Sequence, residues 1–189
     1  MPYSVGDRRW AILDGRVVEF MYVDQDDTHE EGCCCVQAFV ALADSTQESG
    51  TIEFLKGSHH EHAALARRLC DQQSSERDEW EFLEIPDADG VFEFCPLVQP
   101  CVRAGDVVLW DARTAHRVVR PSGDAPRMVA YVCMVPRHFA DAEATRRRRW
   151  AFENAVATTH WPHRVVDRGD AWGRGRRLER APTEVQRLV

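Results

Sequence analysis

A mainly β fold is predicted by three features of this sequence. Short apolar runs recur through the middle of the chain, one of them alternates with period two, and turn-forming residues separate them. Several short strands divided by Gly-, Pro- and Asp-bearing turns suggest a sandwich, a jelly roll or a barrel, and two helical stretches are expected beside it.

In chain order, Tyr22-Val23-Asp24-Gln25 stands just ahead of the first clear strand. That strand, residues 34–42 (CCVQAFVAL), puts Val36, Ala38, Val40 and Leu42 on one face and Gln37 and Phe39 on the other. The second face mixes polar with aromatic character and is expected to look into the barrel. Further strands are expected at 51–55 (TIEFL), 91–95 (VFEFC), 106–110 (DVVLW) and 127–135 (RMVAYVCMV). Between them lie turn signals such as Glu48-Ser49-Gly50, Lys56-Gly57-Ser58, Ala104-Gly105-Asp106 and Pro121-Ser122-Gly123-Asp124. Helices are expected over 60–73 and 140–156, both rich in Ala and Arg. The run Arg146–Arg149 reads as a solvated helix face, with Glu143 and Glu153 each four residues from an Arg. A single domain over 1–163 is expected, followed by a polar tail over 164–189 on the surface.

Composition narrows the class. Of the 189 residues, 44% are hydrophobic and 29% charged, as in an ordinary globular protein rather than a disordered chain. No apolar run approaches the ~18–20 residues of a membrane span, and MPYSVGDRRW lacks the apolar core of a signal peptide. A net charge of −7 argues against a general nucleic-acid binder. The expectation is a cytoplasmic protein that acts on a small molecule and binds neither nucleic acid nor membrane. Seven cysteines, at 33, 34, 35, 70, 95, 101 and 133, form no CxxC pair, so they are expected to be reduced thiols acting as small apolar residues.

The chemistry lies between positions 22 and 127. A non-haem Fe(II) centre uses two imidazoles and one carboxylate on one side of the ion, leaving the opposite positions open. A His-x-Asp pair on a strand turns both side chains to the same face, so one strand supplies two ligands. A distal His supplies the third, and an Arg beyond it can grip a dicarboxylate through its planar fork. Asp24, His116 and Arg127 suit those roles, but position 22, where the first imidazole belongs, is Tyr.

The segments Tyr22-Val-Asp-Gln25, CVQAFVAL (35–42), SGTIEFLKGSH (49–59), AGDVVLWDARTAH (104–116), APRMVAYVCMVPR (125–137) and TTHWPH (158–163) occur in an order that resembles one family. It is the phytanoyl-CoA dioxygenase-like branch of the Fe(II)/2-oxoglutarate-dependent oxygenases, and the eleven-residue step from His116 to Arg127 agrees with it. The resemblance implies a double-stranded β-helix, a cupin-like jelly roll. It also implies Fe(II) as cofactor, 2-oxoglutarate as cosubstrate, and hydroxylation of an unactivated C–H bond coupled to decarboxylation of 2-oxoglutarate to succinate. Asp24 and His116 become the retained iron ligands, with Tyr22 or water in the third protein position. Arg127 becomes the cosubstrate anchor, and Gln37 and Phe39 become pocket residues.

Two departures are evident. Tyr22 replaces an imidazole, and a phenol, with an ordinary pKa near ~10, is a poorer donor to Fe(II). Only 21 residues precede Tyr22, so the N-terminal part of the family fold is expected to be shortened. The rival expectation is a metal-free, degenerate member serving as a binding or structural module. His29 is weighed as a replacement ligand, His59, His60 and His62 read as solvated polar residues, and Trp110 reads as core packing.

Overall fold

The structure, a computed structural model, describes residues 10–13, 16–19, 21–25, 32–72, 83–85, 90–125, 127–154 and 161–163. It divides into two compact units, Met1–Met134 and Val135–Val189.

Among its described residues the first unit carries ten strands: β1 (Trp10–Leu13), β2 (Arg16–Glu19), β3 (Met21–Val23), β4 (Val36–Ala41), β5 (Ile52–Leu55), β6 (Leu83–Ile85), β7 (Leu97–Val98), β8 (Val107–Asp111), β9 (His116–Val118) and β10 (Val129–Met134). Strands β1 and β2 pair as a separate antiparallel ribbon. The others form a three-stranded sheet, in the order β10-β4-β8, and a five-stranded sheet, in the order β6-β3-β9-β5-β7. Every pairing is antiparallel. From β3 to β5 and again from β8 to β10, consecutive strands alternate between the two sheets. That winding is the jelly roll expected of the chain, and the molecule is mainly β.

Alternation along β4 explains how the sheets meet. Phe39 and Ala41 point inward and join Ile52 and Phe54 of the facing sheet in one apolar cluster, with Val108, Trp110, Val118 and Val129 packed against it. The five-stranded sheet is covered on its other side by α1 (His62–Gln72). Leu65, Ala66 and Leu69 recur at helical spacing and pack with Val23, Leu83, Ile85 and Ala115. Burying side chains of that size contributes roughly 1.5–3 kcal/mol each.

Gly50 is required where it stands. Its φ of 79° lies in the left-handed region, and a Cβ there would meet the Val119 carbonyl oxygen at 2.7 Å. It lets the chain turn into β5 close against the segment after β9.

Two expectations need correction. Residues 91–95 do not form a strand: Gly90–Phe92 is a 3-10 turn, and Cys95 N–H closes a second turn on the Phe92 carbonyl. Phe92 is drawn into the cluster under α1 while Phe94 stays exposed, so the apolar run marks a turn with one anchored ring. His62 is not solvated. It lies three residues before Leu65 on the apolar face of α1 and is buried.

In the second unit, α2 spans Ala142–Glu153, and the Asp141 carboxylate caps it by accepting the Ala144 N–H at 2.6 Å. Arg146 pairs with Glu143 at 2.8 Å, one residue nearer than the spacing expected from the sequence. Further on, Trp161 and His163 are buried with their rings in edge contact. The 164–189 tail lies outside the described residues.

Candidate metal centre

Tyr22 and Asp24, two residues apart, share one side of the β3 chain, while Val23 between them faces α1. Across the sheet, Tyr22 is the register partner of His116 on β9, and His116 is in turn the partner of Phe54 on β5. The three side chains form one row, with the Tyr22 and His116 ring centres 4.4 Å apart and those of Phe54 and His116 5.9 Å apart.

Asp24 and His116 meet at the end of that row. The carboxylate Oδ2 lies 3.2 Å from the imidazole Nε2, with the side chains only 7% and 1% exposed. The other ring nitrogen, Nδ1, is 2.8 Å from the Thr114 carbonyl oxygen. A carbonyl can only accept, so Nδ1 carries the hydrogen and, in the neutral ring, the Nε2 lone pair is aimed at the carboxylate. A proton on Nε2 satisfies this contact as an ion pair, and a cation between the two groups satisfies it equally. Donors about 2.1 Å from one ion and at right angles stand about 3 Å apart, which matches this pair.

The turn after β8 holds both strands in place. The Ala112 carbonyl accepts Asp24 N–H at 3.2 Å and Gln25 N–H at 3.4 Å, and Ala112 N–H donates to the Cys35 carbonyl. Within the turn, Arg113 donates to the Asp111 carboxylate through its backbone N–H and its guanidinium. Burial pushes the Asp111 carboxyl up, but these bonds more than offset it and hold the group below the usual carboxylate range. Ser58 Oγ accepts the Ala115 N–H at 2.8 Å, fastening the approach to His116.

A second layer supports Asp24. His62 Nε2 donates to the Gln25 carbonyl at 2.6 Å. The Gln25 side chain accepts from Cys34 and donates to the Gly32 carbonyl. Beside these, the Cys35 thiol is pushed well above its ordinary value by its hydrogen bond with Cys133 and by burial, and the Asp24 charge adds to this. Neither thiol layer nor His62 stood out in the sequence as part of this region. The helical register of His62 with Leu65 and Leu69 was the available signal.

The three-stranded sheet supplies the opposite wall. Gln37 and Phe39 on β4 face inward, as does Trp110, the register partner of Gln37 on β8. Trp110 reaches the metal-site side, its ring 5.6 Å from that of His116. It packs against the core cluster, as expected, and also borders the candidate site. Arg127 stacks over this wall, its guanidinium carbon 5.6 Å from the ring centres of both Phe39 and Tyr131, and donates to the Tyr131 hydroxyl at 2.9 Å. Among the described residues no carboxylate pairs with Arg127: Asp111 is engaged by Arg113, and Asp106 accepts the Arg103 N–H. Three buried polar atoms on this wall, Gln37 Oε1, Trp110 Nε1 and Arg127 Nε, have no hydrogen-bond partner.

Among the described residues no three His, Cys, Asp or Glu side chains converge on one point. The structure brings together Asp24, His116 and, beside them, Tyr22; His29 lies outside the described residues. The chemistry of the donors fits a cation held by one carboxylate and one imidazole, with a phenol where another imidazole would complete a facial triad.

Comparison with known proteins agrees on the family. The family model for phytanoyl-CoA dioxygenase matches residues 15–129. The Ava biosynthesis cluster protein O of Aspergillus versicolor is 31% identical over 145 residues, covering 72% of this chain and 46% of that protein. Among solved structures, the non-heme alpha ketoglutarate dependent carbocyclase SnoK from nogalamycin biosynthesis is 26% identical with a TM-score of 0.42, covering 60% of this chain and 42% of that one. EctD from S. alaskensis, solved with 2-oxoglutarate and 5-hydroxyectoine, is 18% identical with a TM-score of 0.42, covering 60% and 37%. This chain spans about half the length of the curated relative. By the family match and the curated relative, the chain belongs to the phytanoyl-CoA dioxygenase family.

Proposed function

We propose that this protein is an Fe(II)- and 2-oxoglutarate-dependent oxygenase that hydroxylates an unactivated C–H bond of a small organic substrate. One observation carries the reading: a buried carboxylate and imidazole stand 3.2 Å apart, with Nδ1–H of the imidazole held by the Thr114 carbonyl so that Nε2 faces the carboxylate. Asp24 Oδ2 and His116 Nε2 hold the metal, and Tyr22 or water takes the third protein position.

When bound, iron and 2-oxoglutarate supply the oxidising power, the cosubstrate being decarboxylated to succinate as oxygen is consumed. The protein's part is to bind, orient and exclude water. Arg127 holds the distal carboxylate of the cosubstrate: among the described residues no carboxylate pairs with it and its Nε has no hydrogen-bond partner. Phe39 and Tyr131 flank its guanidinium and lower the local polarity, which strengthens a charge-assisted hydrogen bond to a bound anion. Gln37 adds an amide on the same wall. The rings of Phe54 and Trp110 shield His116 from solvent.

Calorimetry of 2-oxoglutarate binding under anaerobic Fe(II) tests this assignment. Wild type is expected to bind, Arg127→Ala to abolish binding, and Arg127→Lys to weaken it by losing the two-pronged contact. Unchanged binding by Arg127→Ala removes Arg127 from the site. Tyr22 favours a second reading, a metal-free binding module, and absence of Fe(II) binding by the folded protein would establish it.

A further inference from the structure

We infer that Gln37 and Trp110 form a specificity pair that reads a hydroxyl group already present on the substrate, an inference that rests on the oxygenase reading above. The two are register partners on β4 and β8. Gln37 stands on the central strand of its sheet, flanked by Trp110 on one side and by Cys133 of β10 on the other. Its amide is therefore approached from between the two sheets, where the row of Tyr22, His116 and Phe54 stands opposite.

Each member of the pair buries a polar atom that nothing satisfies. Gln37 is only 4% exposed, and among the described residues neither its Oε1 nor Trp110 Nε1 has a hydrogen-bond partner. Buried polar groups are ordinarily hydrogen-bonded, because an unpaired one has lost its water and gained nothing in return. The indole is also held in place: the rings of Phe54, His116 and Phe39 stand 5.3, 5.6 and 6.2 Å from its own. Two such groups side by side on one wall, in ring contact with a candidate metal ligand, mark a place kept for a ligand.

The two atoms differ in hydrogen-bond sense, and that selects the ligand. Trp110 Nε1–H only donates, and Gln37 Oε1 only accepts. A carboxylate of the cosubstrate also only accepts, so it cannot satisfy the amide oxygen, and it has Arg127 over Phe39 and Tyr131 as its partner. A hydrocarbon satisfies neither atom. A hydroxyl satisfies both at once, donating to Gln37 Oε1 and accepting from Trp110 Nε1–H. The rings around the pair make its surroundings apolar, so the substrate class is an alcohol on an apolar body. Because Trp110 borders His116, the bound hydroxyl stands near the metal site and fixes which neighbouring carbon is presented. An analogue without the hydroxyl leaves both groups buried and unpaired, which is how such a site discriminates.

Binding of benzyl alcohol, benzyl methyl ether and toluene to the full chain, read by ligand-observed magnetic resonance, tests this. Wild type is expected to bind the alcohol at least ~10-fold more tightly than toluene. The ether should fall between them, since it accepts from Trp110 but gives nothing to Gln37. The Trp110 indole N–H signal, identified by its loss in Trp110→Phe, should shift with the alcohol and the ether and not with toluene. Trp110→Phe and Gln37→Met, which keep most of each side chain's bulk, should each abolish the preference for the alcohol. Gln37→Met, which removes a buried unpaired oxygen, should also melt at or above wild type. Equal binding of alcohol and toluene by wild type would overturn the proposal even if a variant fails to fold. So would no binding of any probe at millimolar concentration, or a preference kept by both variants. Displacement of the alcohol by 2-oxoglutarate would give the pair to the cosubstrate and overturn it equally. Failure of the oxygenase reading shows separately, as absent 2-oxoglutarate binding by the Fe(II)-loaded wild type.

Discussion

The two sheets of the first unit differ in how they are supported. The five-stranded sheet is covered on both sides, by α1 outside and by the facing sheet inside, and it carries Tyr22, His116 and, just past β3, Asp24. Among the described residues of the first unit, the three-stranded sheet is packed on its inner side only, and it carries the wall residues Gln37, Phe39 and Trp110, with Arg127 just before β10. Under the proposed function, the groups that would hold a metal to within fractions of an ångström stand where the backbone is clamped from two sides, and those that would grip an organic ligand stand on the other sheet.

This contrast can be broken by substitution. Leu65→Ala, beneath the clamped sheet, should lower stability by about 2–5 kcal/mol in urea unfolding, because it leaves a cavity among buried residues. Ser58→Ala removes the acceptor of a buried N–H near His116 and should cost about 1–3 kcal/mol. Asp111→Asn should cost about 1 kcal/mol at neutral pH. The folded Asp111 carboxyl titrates below its unfolded value, so its stabilisation is present above about pH 4 and is lost as pH falls through the lowered value. Unfolding midpoints of wild type and Asp111→Asn should therefore converge in acid. Leu109→Ala, on the outer face of the other sheet, should cost less than about 1 kcal/mol. A Leu109 effect as large as that of Leu65 would show that the two sheets are equally supported.

The sequence disclosed the parts of this arrangement that carry a period or a motif. Strand β4 shows its alternation, β8 and β10 stand out as apolar runs of five or six residues, and α1 and α2 fall within three residues of the expected spans. Strands β7 and β9 are two and three residues long, too short for a period to be read, although β9 carries His116. Residues 91–95 form a short apolar run like a strand, yet Gly90 opens a 3-10 turn and Phe92 is the residue buried in the cluster under α1. At the site, residue types and spacing pointed to Asp24, His116 and Arg127. The Thr114 carbonyl that sets the His116 tautomer was invisible, because a backbone oxygen leaves no mark in a sequence. The placement of Trp110 was hidden for a different reason: an indole in a core and an indole lining a site look alike until its Nε1 is seen without a partner.

Tyr22 is where the account is most exposed, and anaerobic Fe(II) binding by wild type and Tyr22→His measures it directly. The phenol stands beside His116 on the same side of the chain as Asp24, so an imidazole at position 22 would complete a set of two imidazoles and one carboxylate. Wild type is predicted to bind Fe(II) weakly, and Tyr22→His at least ~10–100-fold more tightly, by analogy with the loss that follows when even a supporting group of a metal site is removed. Succinate formation from 2-oxoglutarate should rise in parallel. If both folded proteins fail to bind Fe(II), the Asp24–His116 pair is not a metal site and the oxygenase reading is wrong.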